Sequence, residues 1–281
     1  MKKTARSSAK TRTQRQLIRM ALRGWGSEKR WRAIVELQMR GSPQMLEFVQ
    51  RLSGNASWRR RALGLYVASQ LRTRVRSAEF GSTEYGMGAT QALLLAGLHD
   101  PHDEVICAAA SGLGHRPHPA ALPELVRLSA HRNESVRWNV AVALGRYPEP
   151  ASIEALCRLA ADADDDVRNW ATFGLGTAHE EDTPEIRDLL WNNLEDRDAE
   201  VRGEALVGLA ARGDARAIDY LVEHLDADCR VYELEAAEKL ASPLLLEALQ
   251  AIARDRGSPK LDSYWSGRLQ AAIAACTAST A

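Results

Sequence analysis

The chain has no apolar run of the length that crosses a bilayer, and its first twenty residues lack the apolar core of a secretory signal. It contains no CxxC. Cys107, Cys157, Cys229 and Cys276 lie far apart, without the clustering of a secreted disulfide framework, and are expected to be reduced, buried small hydrophobes. Phosphate-binding loops, dinucleotide fingerprints and nucleophile elbows are also missing. No catalytic set and no cofactor are therefore expected, and the reading is of a soluble, cytoplasmic protein with no transmembrane segment. What is present is ordinary in bulk: 281 residues, 45% hydrophobic and 26% charged, enough for one large domain or two small ones.

Zero net charge hides an asymmetry. Residues 1–80 hold 19 Lys and Arg against 4 Asp and Glu, and the remainder is acidic to the same degree. Such halves suggest an anionic partner at one end, or a role in solubility or self-association.

A register emerges when DDDVRNWATFGLG is laid over the rest of the chain. Val105, Val136, Val167, Val201 and Tyr232 begin successive copies, with steps of 31, 31, 34 and 31 residues. Each copy has a small apolar residue four later (Ala109, Val140, Ala171, Ala205, Ala236) and Leu eight later (Leu113, Leu144, Leu175, Leu209, Leu240). Positions 0, 4 and 8 form one helical stripe. The following Gly114, Gly145, Gly176, Ala210 or Ala241 suits a left-handed cap or close helix packing.

A second amphipathic segment precedes each copy, as in SIEALCRLAA and EIRDLLWNNL. The unit is helix, short acidic turn, helix, tight turn, and neither helix buries its apolar face unless neighbours stack. This predicts an all-α solenoid of stacked antiparallel helix pairs. Residues 1–11 are read as a basic disordered tail and 12–42 as N-terminal capping helices. The repeats then span 43–257, and 258–281 form a C-terminal capping helix and tail.

The segments DPHDEV, DADDDVRNWA and DRDAEVRGEA resemble the short HEAT-like repeats named after phycobilisome lyase subunits. The resemblance covers roughly residues 43–257. It implies the solenoid fold but spreads over scaffolds, lyase subunits, regulators and a hydroxylase, so a lyase- or oxidoreductase-associated role rests on it alone. That hydroxylase uses several His-Glu pairs on repeat helices for a di-iron centre. Here one pair, His179 with Glu180, falls in AHEEDTPE, where the period stretches, and no di-iron site is expected.

Arg137, Arg168 and Arg202 follow the stripe valines. Asp162 and Asp196 lie six residues ahead of Arg168 and Arg202, which resembles the side-chain ladder between HEAT turns. The acidic residues also suit helix N-termini. Asp164, Asp165 and Asp166 lack the further oxygen ligands and loop glycine of a calcium hand. His99 and His102 share a turn and His131 lies near the equivalent turn, with His115 and His118 on the opposite edge. No Cys or carboxylate completes a zinc set, and no metal is expected.

Two surfaces suit binding. Offsets of one to three and six from the stripe are expected on the inner wall of the solenoid, facing a protein partner. They are Arg137, Trp138, Asn139 and Val142, then Arg168, Asn169, Trp170 and Phe173, then Arg202, Glu204 and Val207. The competing reading packs Trp138 and Trp170 between adjacent second helices. The other surface is basic: Arg12, Arg15, Arg19 and Arg23 on one arc of an N-terminal helix, Arg59, Arg60 and Arg61 opening another, and Arg72, Arg74 and Arg76 in a glycine-containing loop. Nucleic acid or another polyanion would find partners there, by analogy with alkylpurine DNA glycosylases, which also use HEAT-like repeats. The N-terminal helix equally suits a cap, a membrane-surface helix or a targeting segment.

Overall fold

The computed structural model describes residues 12–74, 81–255 and 263–279. The expected tail at 1–11 and Arg76 lie outside the described residues, as do 256–262 and 280–281. The described residues form sixteen α-helices and one two-stranded sheet. Two compact units divide at Leu125/Val126.

The first unit contains α1 (Gln14–Arg23), α2 (Glu28–Gln38), α3 (Pro43–Ser53), α4 (Trp58–Ser69), β1 (Arg72–Arg74), β2 (Ser82–Glu84), α5 (Met87–Gly97) and α6 (Asp103–His115). The division falls inside α7 (Leu122–Leu128). The second unit continues with α8 (Glu134–Leu144), α9 (Pro150–Leu159), α10 (Asp165–Phe173), α11 (Pro184–Asn192) and α12 (Ala199–Ala211). It closes with α13 (Arg216–His224), α14 (Val231–Leu240), α15 (Leu246–Asp255) and α16 (Ser263–Ala278).

Within each unit the helices pair in sequence order, and second helices stack on second helices: α4 on α6, and α8, α10, α12, α14 in succession. The fold is an α-solenoid. Its stripe is the core: in the copies on α6, α8, α10 and α12 every residue at positions 0, 4 and 8 is at most 1% exposed. In the divergent fifth copy Tyr232 and Leu240 are only half-buried. Second helices start where a short polar residue accepts free N–H groups: His102 Nδ1 from Glu104, Asn133 from Ser135, Asp164 from Val167, and Asp198 from Glu200 and Val201.

Of the two roles expected for the residue ending each copy, Gly176 takes close packing. A Cβ there would stand 3.1 Å from the Glu204 carbonyl and from the Gly208 Cα, so α12 approaches through two facing glycines. Gly145 is right-handed, and the left-handed conformation occurs instead at Ala241, with φ 48°. Of the cysteines, which are all free thiols, Cys157 departs from expectation in being half-buried. The expected loop after α4 carries β1 and β2, paired antiparallel with Thr73 opposite Thr83.

The turns are tied by arginine. Arg137 donates from Nε and Nη2 to Asp162 at 2.7 and 2.8 Å, and Arg168 does the same to Asp196 at 2.7 and 2.8 Å. In the first unit Arg61 holds Asp100 at 2.6 and 2.8 Å. The remaining Nη1 of each donates to the carbonyls six and five residues upstream: Asn55 and Ala56, His131 and Arg132, Asp162 and Ala163. The register differs from the sequence expectation. Arg168 takes the backbone oxygen of Asp162, whereas the Asp162 carboxylate belongs to Arg137 of the repeat before.

Each rung aspartate also accepts the N–H two residues on, as Asp162 does from Asp164 and Asp196 from Asp198. The Arg168 fork, against the opposing pull of burial and with help from that N–H, holds the Asp196 carboxyl below the usual range. Its contribution is complete above the unfolded carboxyl value and is lost as pH falls through the lower folded one. The side chains of Arg168 and Asp196 are 8% and 12% exposed. Arg168→Ala should therefore cost about 3 kcal/mol at neutral pH, because it strands a buried carboxylate. Urea titrations of R168A, D196A and the double variant should show the pair costing less than the sum.

Candidate protein-binding site

The residues at offsets two, three and six lie on α8, α10 and α12 of the second unit. Trp138, half-buried on α8, meets Trp170 of α10 edge to face, with ring centroids 5.9 Å apart. Trp170 meets Phe173, one turn on, at 5.6 Å and 76°. Three part-exposed rings thus run across two neighbouring helices in the geometry favoured by aromatic quadrupoles. The rings pack on one another, as the competing sequence reading has it, and keep part of their surface in solvent. Val142 on α8 is half-buried beside this run in sequence position.

The other candidates are placed differently. Arg137 and Arg168 are ladder forks, and Arg168 is buried. Asn139 is buried, its Nδ2 donating to the Ser135 carbonyl at 2.8 Å. Arg202 donates to the carbonyls of Asp196 and Arg197, and among the described residues no rung carboxylate reaches it. The reason is local. Asp226 repeats the rung turn by accepting from Asp228, but α14 begins two residues later relative to it than α10 and α12 do to Asp162 and Asp196. Val207 is buried.

Glu204 stands three past its stripe valine, as Trp170 does. It is half-buried, and among the described residues no basic side chain is paired with it. The Tyr232 hydroxyl beside it donates to Glu200 at 2.6 Å, and Arg230 is paired with Glu200. Burial, opposed by Tyr232 and reinforced by the charges of Glu235 and Glu200, pushes the Glu204 carboxyl up to about 7. Next along, Glu235 and Glu238 of α14 flank Arg268 of α16. Glu200, Tyr232 and Glu235 are absent from the sequence-derived set. Carrying the offset of three into the fifth copy reaches Glu235, whereas the Tyr232 hydroxyl needs the structure.

In the first unit Arg61 is the Asp100 rung, and Arg12 lies 3.6 Å from Glu36. Arg15, Arg19, Arg23, Arg59 and Arg60 are exposed. A second aromatic group, which no local spacing marks, lies here. The Arg30 guanidinium, nearly buried, lies 3.7 Å from the Trp25 ring centroid, 4.8 Å from Trp31 and 4.7 Å from Tyr66, and donates to Glu104 at 2.7 Å. This caged cation joins α2 to α4 and α6 and fixes the first helix pair on its neighbours.

Two clefts lie away from the aromatic run. One of about 750 Å³ follows the outer face of α2 past Trp31, Val35 and Arg74. The other, about 430 Å³ between α9 and α11, is lined by Ile153, Cys157 and Glu185, and burial raises the Cys157 thiol above its usual value, away from nucleophile chemistry. Among the described residues no three His, Cys, Asp or Glu side chains are grouped to hold a metal ion, and no helix is long and apolar enough to cross a membrane. His179, buried after the π-helical turn Gly174–Ala178, has its imidazole kept neutral to lower pH by burial.

A family model of HEAT repeats matches residues 92–176 and 158–242, together more than half of the sequence. The chain belongs to the HEAT-repeat family. Protein YibA of Escherichia coli K12 is 36% identical to this chain over 86 residues, 30% of the chain and 30% of YibA. The matched stretch is thus under a third of that relative's length. The X-ray structure of YibA has the same fold, with a TM-score of 0.66 at 23% identity over 94% of this chain and 95% of YibA. An engineered protein follows at TM-score 0.50 and 17% identity, over 92% of this chain and 77% of its own. The CpcE–CpcF complex of phycocyanin lyase from Nostoc sp. PCC7120 gives 0.48 and 14%, over 98% of each chain. The HEAT array is consistent with an interaction scaffold.

The raised Glu204 carboxyl has a consequence for stability. Between the ordinary value of 4.5 and about 7 the folded chain keeps a proton that the unfolded chain releases. The Glu204 contribution to stability therefore falls as pH rises through that window and is level above it. Glu204→Gln should raise the unfolding midpoint at pH 8 by about 2–4 °C and leave it nearly unchanged at pH 4.5, in parallel thermal melts followed by circular dichroism.

Proposed function

We propose that this HEAT-repeat chain is a non-enzymatic interaction scaffold that takes a protein partner along the second-helix wall of its second unit. The carrying observation is the edge-to-face run of Trp138, Trp170 and Phe173. Stripe residues Val136, Val167 and Ala171 are fully buried, and Arg137 and Arg168 hold the ladder, so the needs of the fold are met by neighbouring positions. The three rings retain solvent-facing surface of the residue type that dominates interface energetics. Replacing Trp170 and Phe173 by Ala should leave the helical circular dichroism intact and weaken partner capture by about 2 kcal/mol or more. Capture equal to wild type would remove this wall as the binding surface.

A second reading rests on Arg15, Arg19, Arg23, Arg59 and Arg60, which have no carboxylate partner among the described residues and belong to one unit. It assigns polyanion binding, nucleic acid included, to these arginines of the first unit. Titration with generic duplex and single strands should then give binding that falls linearly in log–log form as salt rises. Absence of binding at low salt, or insensitivity to salt, would dismiss it.

A further inference from the structure

Helix α2 packs on α1 and α4 and carries two unlike rows on its remaining face. Its inner line is spoken for: Arg30 lies over the Tyr66 ring, and Gln38 donates to the Tyr66 carbonyl at 2.7 Å. Outside, Trp31, Val35 and Met39 form one i, i+4 row and Glu28, Arg32, Glu36 and Arg40 form another, and all seven line the same cleft of about 750 Å³. Trp31 is 47% and Val35 56% exposed, one turn apart, whereas the other large apolar side chains of that exposure among the described residues, Val222, Leu244 and Tyr264, belong to the second unit. The Trp31 ring is already fixed, edge to face with Tyr66 at 5.1 Å and beside the Arg30 guanidinium. Covering it therefore costs little ordering.

The charged row alternates in sign. Within one chain Arg32 donates to Glu28 at 3.1 and 2.7 Å and Arg40 to Glu36 at 2.7 Å, so the row is ordered before any partner arrives. A ligand of one sign is mismatched to it: a polyanion or an anionic lipid surface meets Glu28 and Glu36 together with the arginines. The row is matched to itself run backwards. Glu28 with Arg40 and Arg32 with Glu36 share one midpoint, residue 34, so a second α2 laid antiparallel about that level sets each glutamate opposite an arginine of the copy. A two-fold axis normal to both helices also leaves the two charged rows on one flank of the apolar seam, where they meet. On the seam the copy's Val35 and Trp31 fall midway between residues 31, 35 and 39 of the first chain, so the apolar rows interdigitate. A parallel pairing would part the charged rows onto opposite flanks.

We propose that this face of α2 is a homodimer interface: a second copy of the chain docks on it antiparallel, with the two Val35 side chains near the two-fold and Glu28 and Arg32 of each copy against Arg40 and Glu36 of the other. The interface belongs to the first unit and is independent of the wall in the second.

Sedimentation equilibrium of the full chain tests this at physiological ionic strength, which screens the like charge of two basic units. The mean mass should rise from 31.0 kDa towards twice that value through the micromolar range, as a one-helix interface implies. Val35→Glu, which sets two like charges at the two-fold, should raise the dissociation constant about tenfold or more, and Val222→Glu on α13 should leave it unchanged. Glu36→Arg and Arg32→Glu should each weaken self-association to a similar degree. An equimolar mixture of those two, one of them fluorescein-labelled, should re-form a dimer at wild-type affinity, because each reversal then meets the other. A chain that stays at 31.0 kDa, or equal behaviour of V35E and V222E, would overturn the proposal. Species larger than a dimer would overturn the closed two-fold in favour of a head-to-tail contact. Two weakened reversals, each with the helical circular dichroism of wild type, that do not recover on mixing would overturn the antiparallel pairing. The V35E and V222E comparison decides the interface without the reversals, whose mixture decides its direction.

Discussion

The arginine fork of the inter-helix turn is the interaction on which the array depends. A short turn between antiparallel helices leaves carbonyls without helical partners. Arg61, Arg137 and Arg168 each give one nitrogen to two such carbonyls of their own turn and the other two donors to a carboxylate of the following turn. One side chain thereby satisfies the turn and sets its spacing from the next, which fixes how far each stripe is inserted between its neighbours. A lysine ammonium lacks the planar, multidentate geometry for this. Ile106 stands at the arginine position of α6 and His131 at the aspartate position before α8, so the two substitutions in the pattern come together.

Departures from the repeat are repaired by a different arginine. The connection after α4 contains the β1–β2 pair, and the connection after the π-helical turn carries the three extra residues of the stretched period. Both leave C-terminal helix carbonyls without the usual continuation. Arg116, eleven residues past Val105 and 1% exposed, donates to the carbonyls of Ser69 and Leu71 at the end of α4. Arg212, eleven past Val201, donates to Leu175 and Gly176 at the end of the π-helical turn. In both cases a cation is placed at the negative end of a helix, where its burial is offset by several carbonyl acceptors. Tyr147 and Ala178 hold the equivalent places after α8 and α10, where the preceding connection is short.

Much of this was legible in sequence because a repeat states its rule several times. The stripe Val167, Ala171, Leu175 could be read from one copy and checked against three more, and its burial follows. The acidic turn residues announced caps and a ladder. The ladder's register was less legible. Six residues separate Asp162 from Arg168, but that spacing serves the backbone oxygen, and the carboxylate reaches back 25 residues to Arg137. Strands of three residues have too little alternation to be seen, so β1 and β2 read as loop. The Arg30 cage assembles side chains from α2 and α4 with Glu104 of α6, a distance no local pattern spans. Offsets from the stripe located Trp170, Phe173 and Glu204, but an offset assigns Arg168 and Trp170 to adjacent positions without saying that one is a rung and the other a part-exposed ring.

That difference follows from helix geometry. The fold draws its stripe, rung and cap from positions 0, 1, 4, 8 and 9 of the second helices, with the rung present on α8 and α10. Positions 2, 3 and 6 lie outside that set, so their chemistry can change from repeat to repeat while the backbone spacing stays constant. Along α8, α10, α12 and α14 it does change. Position 3 holds Asn139, Trp170, Glu204 and Glu235 in turn, and position 6 holds Val142, Phe173, Val207 and Glu238. The facing glycines Gly176 and Gly208 bring α12 against the π-helical turn that follows α10, where the series passes from aromatic to acidic. Repeats that are structurally equivalent thus carry an ordered, non-equivalent row, and under the function proposed above a partner lying along it would be held in one direction by the gradient from rings to carboxylates.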